Sequence, residues 1–528
     1  MKPACVRPPR APLSALLPLL LACAATLAPA ARADIVLAPL FRDGVVLQRD
    51  KPVPVWGAAD PGEKITVTFA GKTASATADA DGKWRVDIAP LPASAEPRIL
   101  VARGNNTLSV TDVLVGEVWL ASGQSNMELR VGKTDITQAE RAAAANPLIR
   151  HYKTHPKSSP VPLADTRGRW EHVTPKTVGT FTAAGWYFAV ELHRELGGIP
   201  VGIINSSYGG TRIEAWMDPA STDKTLGPAF AAIHTRYAKI LADYPSDKER
   251  YEVARKKWEA ARDAATAAGK SFTQRRPDPP RGAPESPFAP SGLYNAMIAP
   301  HVPFALRGFL WYQGESNATR HHEYRDFQSA LIIGWRRQFA QGDLPFYWVQ
   351  LANFHGAGVN KTEYAFLRGA QTECLALPNT GQAVTIDIGD VANIHPRNKR
   401  DVGRRLALLA LRRAYGKTTI VDSGPVFAAA VREGPAMRVS FRPADTPEQS
   451  PLASPRGLAP AGFELAGADK IFHPADARID GQTVLVSSAK VPAPVAVRYA
   501  WRNAPDAGLF NRDGLPACPF RSDNGYTQ

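Results

Sequence analysis

Residues 113–127 read VLVGEVWLASGQSNM, a largely apolar run that ends in small and polar residues. Four further runs of strand length follow it, at residues 201–205, 308–312, 346–352 and 383–388. Segments with helical periodicity accompany these runs, at about residues 180–196, 323–339, 364–376 and 398–414. Apolar runs that alternate with helices are typical of a parallel sheet with crossover helices. The sequence therefore predicts an α/β domain.

Short β-strands are predicted on both sides of this domain. Residues 34–111 contain alternating apolar runs broken by turn dipeptides such as PG at 61–62 and DG at 81–82, which predicts a small antiparallel β-sandwich. Short alternating runs return over residues 417–528, which predicts a C-terminal β-rich domain. The α/β domain then covers residues 112–416, with an insertion at about residues 218–290. The insertion contains a charged stretch at 246–268 that is expected to be helical and a Pro-rich segment at 275–290.

The first 33 residues have the pattern of a secretory signal peptide. Basic residues precede an apolar run at 13–27, and the small-residue motif ARA at 31–33 predicts cleavage before Asp34. The tetrapeptide LLAC at 20–23 also resembles a lipobox, in which Cys23 would carry a lipid anchor. We expect a periplasmic or secreted protein, with a membrane-anchored lipoprotein as the alternative. No later run reaches the roughly 18 to 20 apolar residues that a membrane span needs.

Composition places the chain among folded globular proteins. It has 528 residues, of which 44% are hydrophobic and 21% charged, which excludes a disordered or fibrous chain. Removal of the signal takes away four basic residues and no acidic ones, so the formal net charge falls from +14 to +10. The basic residues are scattered, which argues against nucleic-acid binding. Cys374 and Cys518 then remain, either as a disulfide or as two buried thiols.

Polar and Gly-rich residues follow all five predicted strands. Ligands of open α/β sheets bind outside the carboxyl ends of the strands, so these segments are expected to lie together. They read SGQSNM (122–127), SSYGGT (206–211), QGESN (313–317), NFH (353–355) and, over 389–395, GDVANIH. A serine, a histidine, a carboxylate, glycines and an amide are the parts of nucleophilic acyl transfer.

Two residues are the leading catalytic candidates. Ser125 would begin a helix after a strand, where it is either a nucleophile or only an N-cap. His395 precedes the predicted helix 398–414 and is the best candidate base, with His355 as its competitor. The acid is left open among Asp387, Asp390 and Glu315. Because Met127 replaces the second Gly of G-x-S-x-G, and HExxH and paired CxxC are absent, a lipase-type elbow and a metal site are not predicted.

Four ordered motifs resemble those of the sialate O-acetylesterase family of the SGNH-hydrolase superfamily. They are GQSNM (123–127), YGGT with EAW (208–211 and 214–216), WYQGESN (311–317) and IHP with NK (394–396 and 398–399). The resemblance implies an SGNH-hydrolase-like sheet and a serine esterase that removes O-acetyl groups from carbohydrates through an acetyl-serine. It implies no metal or other cofactor.

The resemblance also implies roles for individual residues. Ser125 would be the nucleophile and also an oxyanion donor through its N–H, His395 the base, and Gly210 and Gln313 the other oxyanion donors. The superfamily usually has an Asp three residues before the His, but that position is Ala392 here. The orienting acid would then be Glu315, whose Gln-Gly-Glu motif has that role in related carbohydrate esterases, or else Asp390. Asp387, or a Ser–His dyad with a backbone carbonyl, are the further alternatives.

The sequence predicts the substrate less well than the chemistry. Asn126, Tyr208, Trp216 and Asn317 lie near the predicted strand ends and are expected to contact the sugar, although core packing is an equal alternative for Trp216. The expected substrate is an O-acetylated carbohydrate such as an acetylated sialic acid. One alternative is acetylated xylan or xyloglucan without activity on sialic acid, and another is a carbohydrate-binding protein without catalysis.

Overall fold

The computed structural model describes residues 34–282, 286–355, 362–442 and 450–523. The expected signal peptide and Cys23 lie outside these residues. None of the helices in the described ranges is long and apolar enough to cross a membrane.

The N-terminal part consists of two antiparallel sheets. One sheet has the order β1-β3-β6 and the other β5-β4-β7-β8, and a short parallel strand, β2, pairs with β8. In β4 and β6 buried and exposed residues alternate, as expected where one face of a sheet packs on a core. The strands are β1 (Val36–Leu37), β2 (Val46–Gln48), β3 (Val53–Ala58), β4 (Lys64–Phe69), β5 (Lys72–Thr77), β6 (Lys83–Ile88), β7 (Ser94–Arg103) and β8 (Thr107–Gly123).

Strand β8 belongs to both the N-terminal part and the central sheet. Its first half pairs antiparallel with β7, and from Glu117 onward its second half pairs parallel with strands of the α/β domain. The boundary predicted after residue 111 therefore falls inside one continuous strand. The two predicted domains share this strand.

The central sheet is mostly parallel and carries helices on both faces. Its order is β10-β9-β11-β8-β12-β13-β14, with β10 antiparallel at one edge. The elements are α1 (Ser125–Glu128), α2 (Gln138–Ala143), β9 (Asn146–Lys153), β10 (Trp170–Val173), α3 (Ala183–Glu195), β11 (Val201–Ser207), α4 (Pro228–Ala267), β12 (Gly308–Tyr312), α5 (His321–Phe339), β13 (Phe346–Val349), α6 (Glu363–Glu373), β14 (Thr380–Ala383) and α7 (Lys399–Arg413).

Alternate residues of the central strands fill two cores. Trp119 and Leu310 face a core shared with α3 and α7, whereas Leu120, Phe309 and Trp311 face a second core shared with α5 and the N-terminal sheets. Because both faces are buried, the strands are continuous apolar runs, which is the pattern that made them visible in the sequence.

The structure differs from the sequence predictions in several elements. The fifth strand was expected at residues 383–388, but β14 ends at Ala383, because Val384 and Ile386 leave the sheet and pack in the C-terminal core. Strands β9 and β10 were not predicted, since Pro147 and several polar residues interrupt the apolar pattern of β9. Within the predicted insertion, α4 begins earlier than the expected helix at 246–268 and contains Pro245.

The C-terminal part is β-rich and is fastened to the α/β domain through a buried arginine. Arg368 of α6 donates to the carbonyl oxygens of Leu351 and Ala352, and also to those of Arg502 and Asn503. Cys374 and Cys518 are both free and buried. The strands are β15 (Val426–Glu433), β16 (Ala436–Arg442), β17 (Leu452–Ala453), β18 (Phe463–Ala466), β19 (Phe472–Pro474), β20 (Asp476–Asp480), β21 (Thr483–Ser487), β22 (Ala496–Tyr499), β23 (Phe510–Asn511) and β24 (Phe520–Arg521).

Candidate active site

Three neighbouring strands end at the same level of the central sheet. Gly123, the last residue of β8, is in register with Ser207 at the end of β11 and with Tyr312 at the end of β12. The segments GQSNM, YGGT and QGESN therefore leave the sheet side by side. This is the convergence that the parallel sheet predicted.

The chain turns sharply from β8 into α1 at Gly123. Its φ is +133°, and a Cβ atom there would lie 2.2 Å from the carbonyl oxygen of Tyr312. Only glycine fits this position without displacing β12. The N–H of Gln124 donates to the same Tyr312 oxygen (3.0 Å), so the turn is pinned to β12 and Ser125 begins α1 directly above the sheet.

Ser125 and His395 are in hydrogen-bonding contact. The Oγ atom of Ser125 lies 2.8 Å from Nε2 of His395, although 270 residues separate them in the chain. The competing base, His355, is exposed, and in the described residues its ring makes no hydrogen bond to Ser125. Of the two histidines, the structure brings His395 to the serine.

The loop that carries His395 is held on both sides of the histidine. Asn126 Nδ2 donates to the carbonyl oxygen of Ile394 (2.9 Å), and Lys399 Nζ donates to that of Pro396 (2.5 Å). The N–H of His395 itself donates to Asn393 Oδ1 (3.0 Å). The His395 ring thus projects toward Ser125 from a backbone that is held by several hydrogen bonds.

No carboxylate of the described chain hydrogen-bonds the His395 ring. Glu315 is connected to the His395 loop through Asn126, whose Nδ2 donates to Glu315 Oε1 (2.6 Å) and to the Ile394 carbonyl oxygen. Asp390 is exposed and accepts from the N–H of Ala392, while Asp387 binds Arg405 in a bidentate ion pair. The choice of Glu315 or Asp390 as the triad acid stays a prediction, and neither contacts the imidazole.

Burial controls the electrostatics of this cluster. The pKa of His395 is lowered by burial and, to a smaller degree, by the positive charge of Lys399. Burial raises the pKa of Glu315, against the opposing effects of its hydrogen bonds and Lys399. Burial lowers the pKa of Lys399 to about 7. A neutral imidazole, the form that accepts a proton, is therefore favoured beside Ser125.

Two backbone N–H groups near Ser125 have no acceptor among the described residues. They belong to Ser125 itself and to Gly210, whose φ is +73° and which is exposed. The neighbouring N–H of Gly209 donates to Glu128 Oε2 (2.8 Å), which fixes the glycine loop against α1. Free donors on both sides of a nucleophile are what an oxyanion requires. Glu128 was not singled out by the sequence analysis.

Gln313 does not fit the oxyanion role implied by the resemblance. Its side chain is fully buried, and Nε2 donates to the Thr211 carbonyl oxygen (3.2 Å) and to Asn317 Oδ1 (2.8 Å). Its Oε1 accepts from the Tyr324 hydroxyl (2.7 Å). Both amide hydrogens are therefore committed to the protein, and the residue joins the tips of β11 and β12 from beneath.

Of the four expected sugar contacts, only Tyr208 keeps exposed surface. Trp216 is fully buried, and its Nε1 donates to Thr211 Oγ1 (2.9 Å), so it is a core residue. Asn317 is also buried and donates through Nδ2 to Glu214 Oε2 (3.0 Å). Asn126 is buried beneath the His395 loop, with an Oδ1 that has no partner.

A mostly buried arginine without a partner follows the glycine loop. The Arg212 guanidinium makes no hydrogen bond or ion pair in the described residues, and burial lowers its pKa. Glu214, the carboxylate whose charge acts on Arg212, is already paired with Arg320 (2.6 Å). The guanidinium therefore keeps hydrogen-bond donors that no acceptor in the described residues occupies.

Comparisons with known proteins agree on one family. The family model described as carbohydrate esterase, sialic acid-specific acetylesterase, matches residues 115–245 and 284–412. Rat sialate O-acetylesterase is 31% identical over 425 residues, 72% of this chain and 74% of that protein. The human sialate O-acetylesterase is 29% identical over 428 residues, 74% of this chain and 73% of that protein.

A solved structure extends the similarity to the whole fold. The crystal structure of a carbohydrate acetylesterase from Xanthomonas citri superposes with a TM-score of 0.78 at 41% sequence identity. The match covers 93% of this chain and 100% of the other. Ser125, Glu315 and His395 all lie within the two segments that the family model matches.

Proposed function

Because the chain belongs to the family of sialic acid-specific acetylesterases, we propose that it removes O-acetyl groups from carbohydrates through an acetyl-Ser125 intermediate. Family membership makes the chain a carboxylic ester hydrolase. The observation that carries the mechanism is the 2.8 Å contact between Ser125 Oγ and His395 Nε2. A hydroxyl beside an imidazole is the arrangement that nucleophilic catalysis on an ester needs.

In the proposed reaction, His395 takes the hydroxyl proton of Ser125 while Oγ attacks the acetyl carbonyl carbon. The N–H groups of Ser125 and Gly210 donate to the carbonyl oxygen as it becomes negative. The tetrahedral intermediate then collapses, the C–O bond to the sugar breaks, and His395 returns the proton to the sugar oxygen. Water, deprotonated by His395, attacks the acetyl-serine, and acetate leaves while Ser125 regains its proton.

The test of this proposal is acetate release from a panel of substrates. The panel contains O-acetylated sialic acid, acetylated xylan, acetylated xyloglucan and a neutral chromogenic acetate ester. Covalent labelling of Ser125 by a serine-directed phosphonate is measured in parallel, since only an activated serine reacts. Release of acetate together with labelling supports the esterase. If neither is observed with the folded protein, the non-catalytic carbohydrate-binding alternative is favoured.

The acidic limb of the pH profile of kcat/KM is expected at a lower pH than a histidine with an ordinary pKa would give. His395 must be neutral to accept the proton, and burial and Lys399 lower its pKa. As pH rises through this lowered pKa, kcat/KM for the chromogenic ester should increase and level off before neutrality. The midpoint should fall below the usual histidine value of about 6.5. A midpoint at or above that value would contradict the assignment of the base.

The presence of Arg212 favours, as the substrate, an acetylated sugar that carries a carboxylate. Sialic acids have such a group, whereas the backbones of xylan and xyloglucan are neutral. The mostly buried Arg212 follows Gly210 by two residues and makes no hydrogen bond or ion pair in the described residues, although the charge of Glu214 acts on it. We therefore place sialate first and the plant polysaccharides second among the proposed substrates.

Replacing Arg212 by Gln is expected to raise KM for O-acetylated sialic acid by about tenfold or more, because a charge-assisted hydrogen bond is lost. The KM for the neutral chromogenic ester should not change. Arg130→Gln, at an exposed arginine two residues after Glu128, is the control and should alter neither value. If Arg212→Gln leaves both values unchanged, or if acetylated xylan is hydrolysed better than the sialic acid ester, the polysaccharide alternative replaces sialate.

Export and domain organisation are further parts of the proposal. The pattern of residues 1–33 supports secretion to the periplasm or beyond, with lipidation of Cys23 as the alternative. We keep the proposed limits of 34–111, 112–416 and 417–528 for the three parts, with the shared strand β8 crossing the first limit.

A further inference from the structure

The two peptide groups that flank His395 are each held by a buried polar side chain. On one side, Asn126 Nδ2 donates to the Ile394 carbonyl oxygen at 2.9 Å. On the other side, Lys399 Nζ donates to the Pro396 carbonyl oxygen at 2.5 Å. Both side chains are buried, Asn126 at 1% exposure and Lys399 at 0%. The backbone on either side of the histidine is therefore fixed from within the protein.

Glu315 is connected to this arrangement through Asn126. The same Nδ2 that holds Ile394 also donates to Glu315 Oε1 at 2.6 Å, so the carboxylate orients the amide. The other oxygen, Oε2, is buried without a hydrogen-bond partner. Glu315 and Lys399 influence each other's charge but make no direct ion pair in the described residues. A buried carboxylate and a buried ammonium cost free energy, which points to a role beyond packing.

We propose that Glu315 and Lys399 are positioning residues that clamp the peptide groups on either side of His395, Glu315 through Asn126 and Lys399 directly. This clamp orients the histidine, which in a catalytic triad is done by a carboxylate that hydrogen-bonds the imidazole ring. It aligns Nε2 with Ser125 Oγ by fixing the loop and leaves the ring itself free of an acid. The proposal rests on the proposed esterase function, in which His395 is the base.

The clamp and a triad acid predict different results at Glu315. In the clamp, Glu315→Gln keeps an amide oxygen that accepts from Asn126, so kcat should stay within about threefold of the wild type, whereas Glu315→Ala should lose about tenfold to a hundredfold. For a triad acid, loss of the charge alone is damaging, so Gln and Ala would be similarly inactive. The KM for the chromogenic ester should be unchanged in both variants, since Glu315 does not touch the substrate.

Lys399 has a separate signature in the pH profile. Lys399→Met removes the bond to Pro396 and the positive charge beside His395, while a linear apolar chain fills the buried space. We expect kcat to fall about tenfold and the acidic limb of kcat/KM to move to higher pH. The charged groups that act on Lys399 are Glu315 and Asp135, and Lys399 is the charged group that acts on His395.

Arg400→Met is the matched control for Lys399→Met. Arg400 is the next residue of α7, is exposed, and pairs with Glu140 instead of the His395 loop. It should change neither kcat nor the position of the acidic limb. Melting temperatures of all variants show whether they are folded, and Glu315→Gln, the mildest change, keeps the test valid if another variant unfolds.

These measurements distinguish failure of the clamp from failure of the esterase. If the wild type releases no acetate from the chromogenic ester, the proposed function itself fails. If the wild type is active, the clamp is supported by a Gln variant that is much more active than Ala at position 315, together with the pH shift in Lys399→Met. It is overturned if the Gln and Ala variants are equally impaired, if Glu315→Ala has wild-type kcat, or if Lys399→Met has the wild-type pH profile.

Discussion

Ser125→Ala is expected to lower kcat for acetate release by at least about a thousandfold, on every substrate that the wild type accepts. The substitution removes the Oγ atom that lies 2.8 Å from His395 Nε2, and no other hydroxyl of the described residues hydrogen-bonds that imidazole. The KM should change little, since alanine leaves the backbone donors of the site in place. Acetate release and phosphonate labelling measure the loss, and labelling should disappear altogether.

Ser122→Ala is the matched control for this variant. Ser122 lies three residues earlier in the chain, near the end of β8, is fully buried, and has an Oγ without a hydrogen-bond partner in the described residues. Its loss should leave kcat and labelling near those of the wild type. Wild-type activity in Ser125→Ala, or equal losses in the two variants, would refute the assignment of the nucleophile.

His395→Ala is expected to lower kcat by about a thousandfold as well, because Ser125 would lose the group that accepts its proton. The residual activity should no longer show the acidic limb that His395 produces in the wild type. Rates of acetate release from the chromogenic ester across pH give both results. The Ser125→Ala, His395→Ala double variant should be no worse than either single variant, since the two residues act as one unit.

His355→Ala provides the comparison for the base. His355 also follows a central strand, but it is exposed and makes no hydrogen bond to Ser125 in the described residues. Its replacement should retain most of the activity. If His355→Ala loses activity and His395→Ala does not, the two assignments must be exchanged.

The sequence predicted that the segments of the site lie together because apolar runs show where the strands end. The backbone of a parallel sheet then places those ends side by side. The apolar runs located four of the five expected strands, and the parallel sheet then brought the segments after Gly123, Ser207 and Tyr312 together. The relatives confirm the predicted family and the carboxylic ester hydrolase activity. Pattern and motif were sufficient for these conclusions.

The direction of individual side chains could not be predicted in this way. Gln313, Asn317 and Trp216 belong to the motifs that surround the site, yet all three are buried and bonded to other parts of the protein. The position of a residue in a motif does not show whether its side chain points toward the site or into the protein. The same limitation hid Glu128, whose bond to Gly209 depends on two loops that are distant in sequence.

The fold differs from the sequence patterns where contacts with another part of the chain determine the position of a residue. Val384 and Ile386 have the alternation of a strand, but they pack against the C-terminal core and not within the sheet. Strand β9 lies inside the sheet although its sequence includes Pro147 and Arg150, because Arg150 pairs with Asp112 (2.8 Å). Tertiary partners of this kind are invisible in a local window of sequence.

The shared strand β8 bears on how this chain can change over evolution. A recombination event near residue 111 would cut β8 into two unequal parts, with unpaired backbone groups on both. The part that carries Ser125 would also lose its antiparallel neighbour β7 and with it the support of the N-terminal sheets. We therefore expect the N-terminal part to be inherited together with the nucleophile and not exchanged as a separate module.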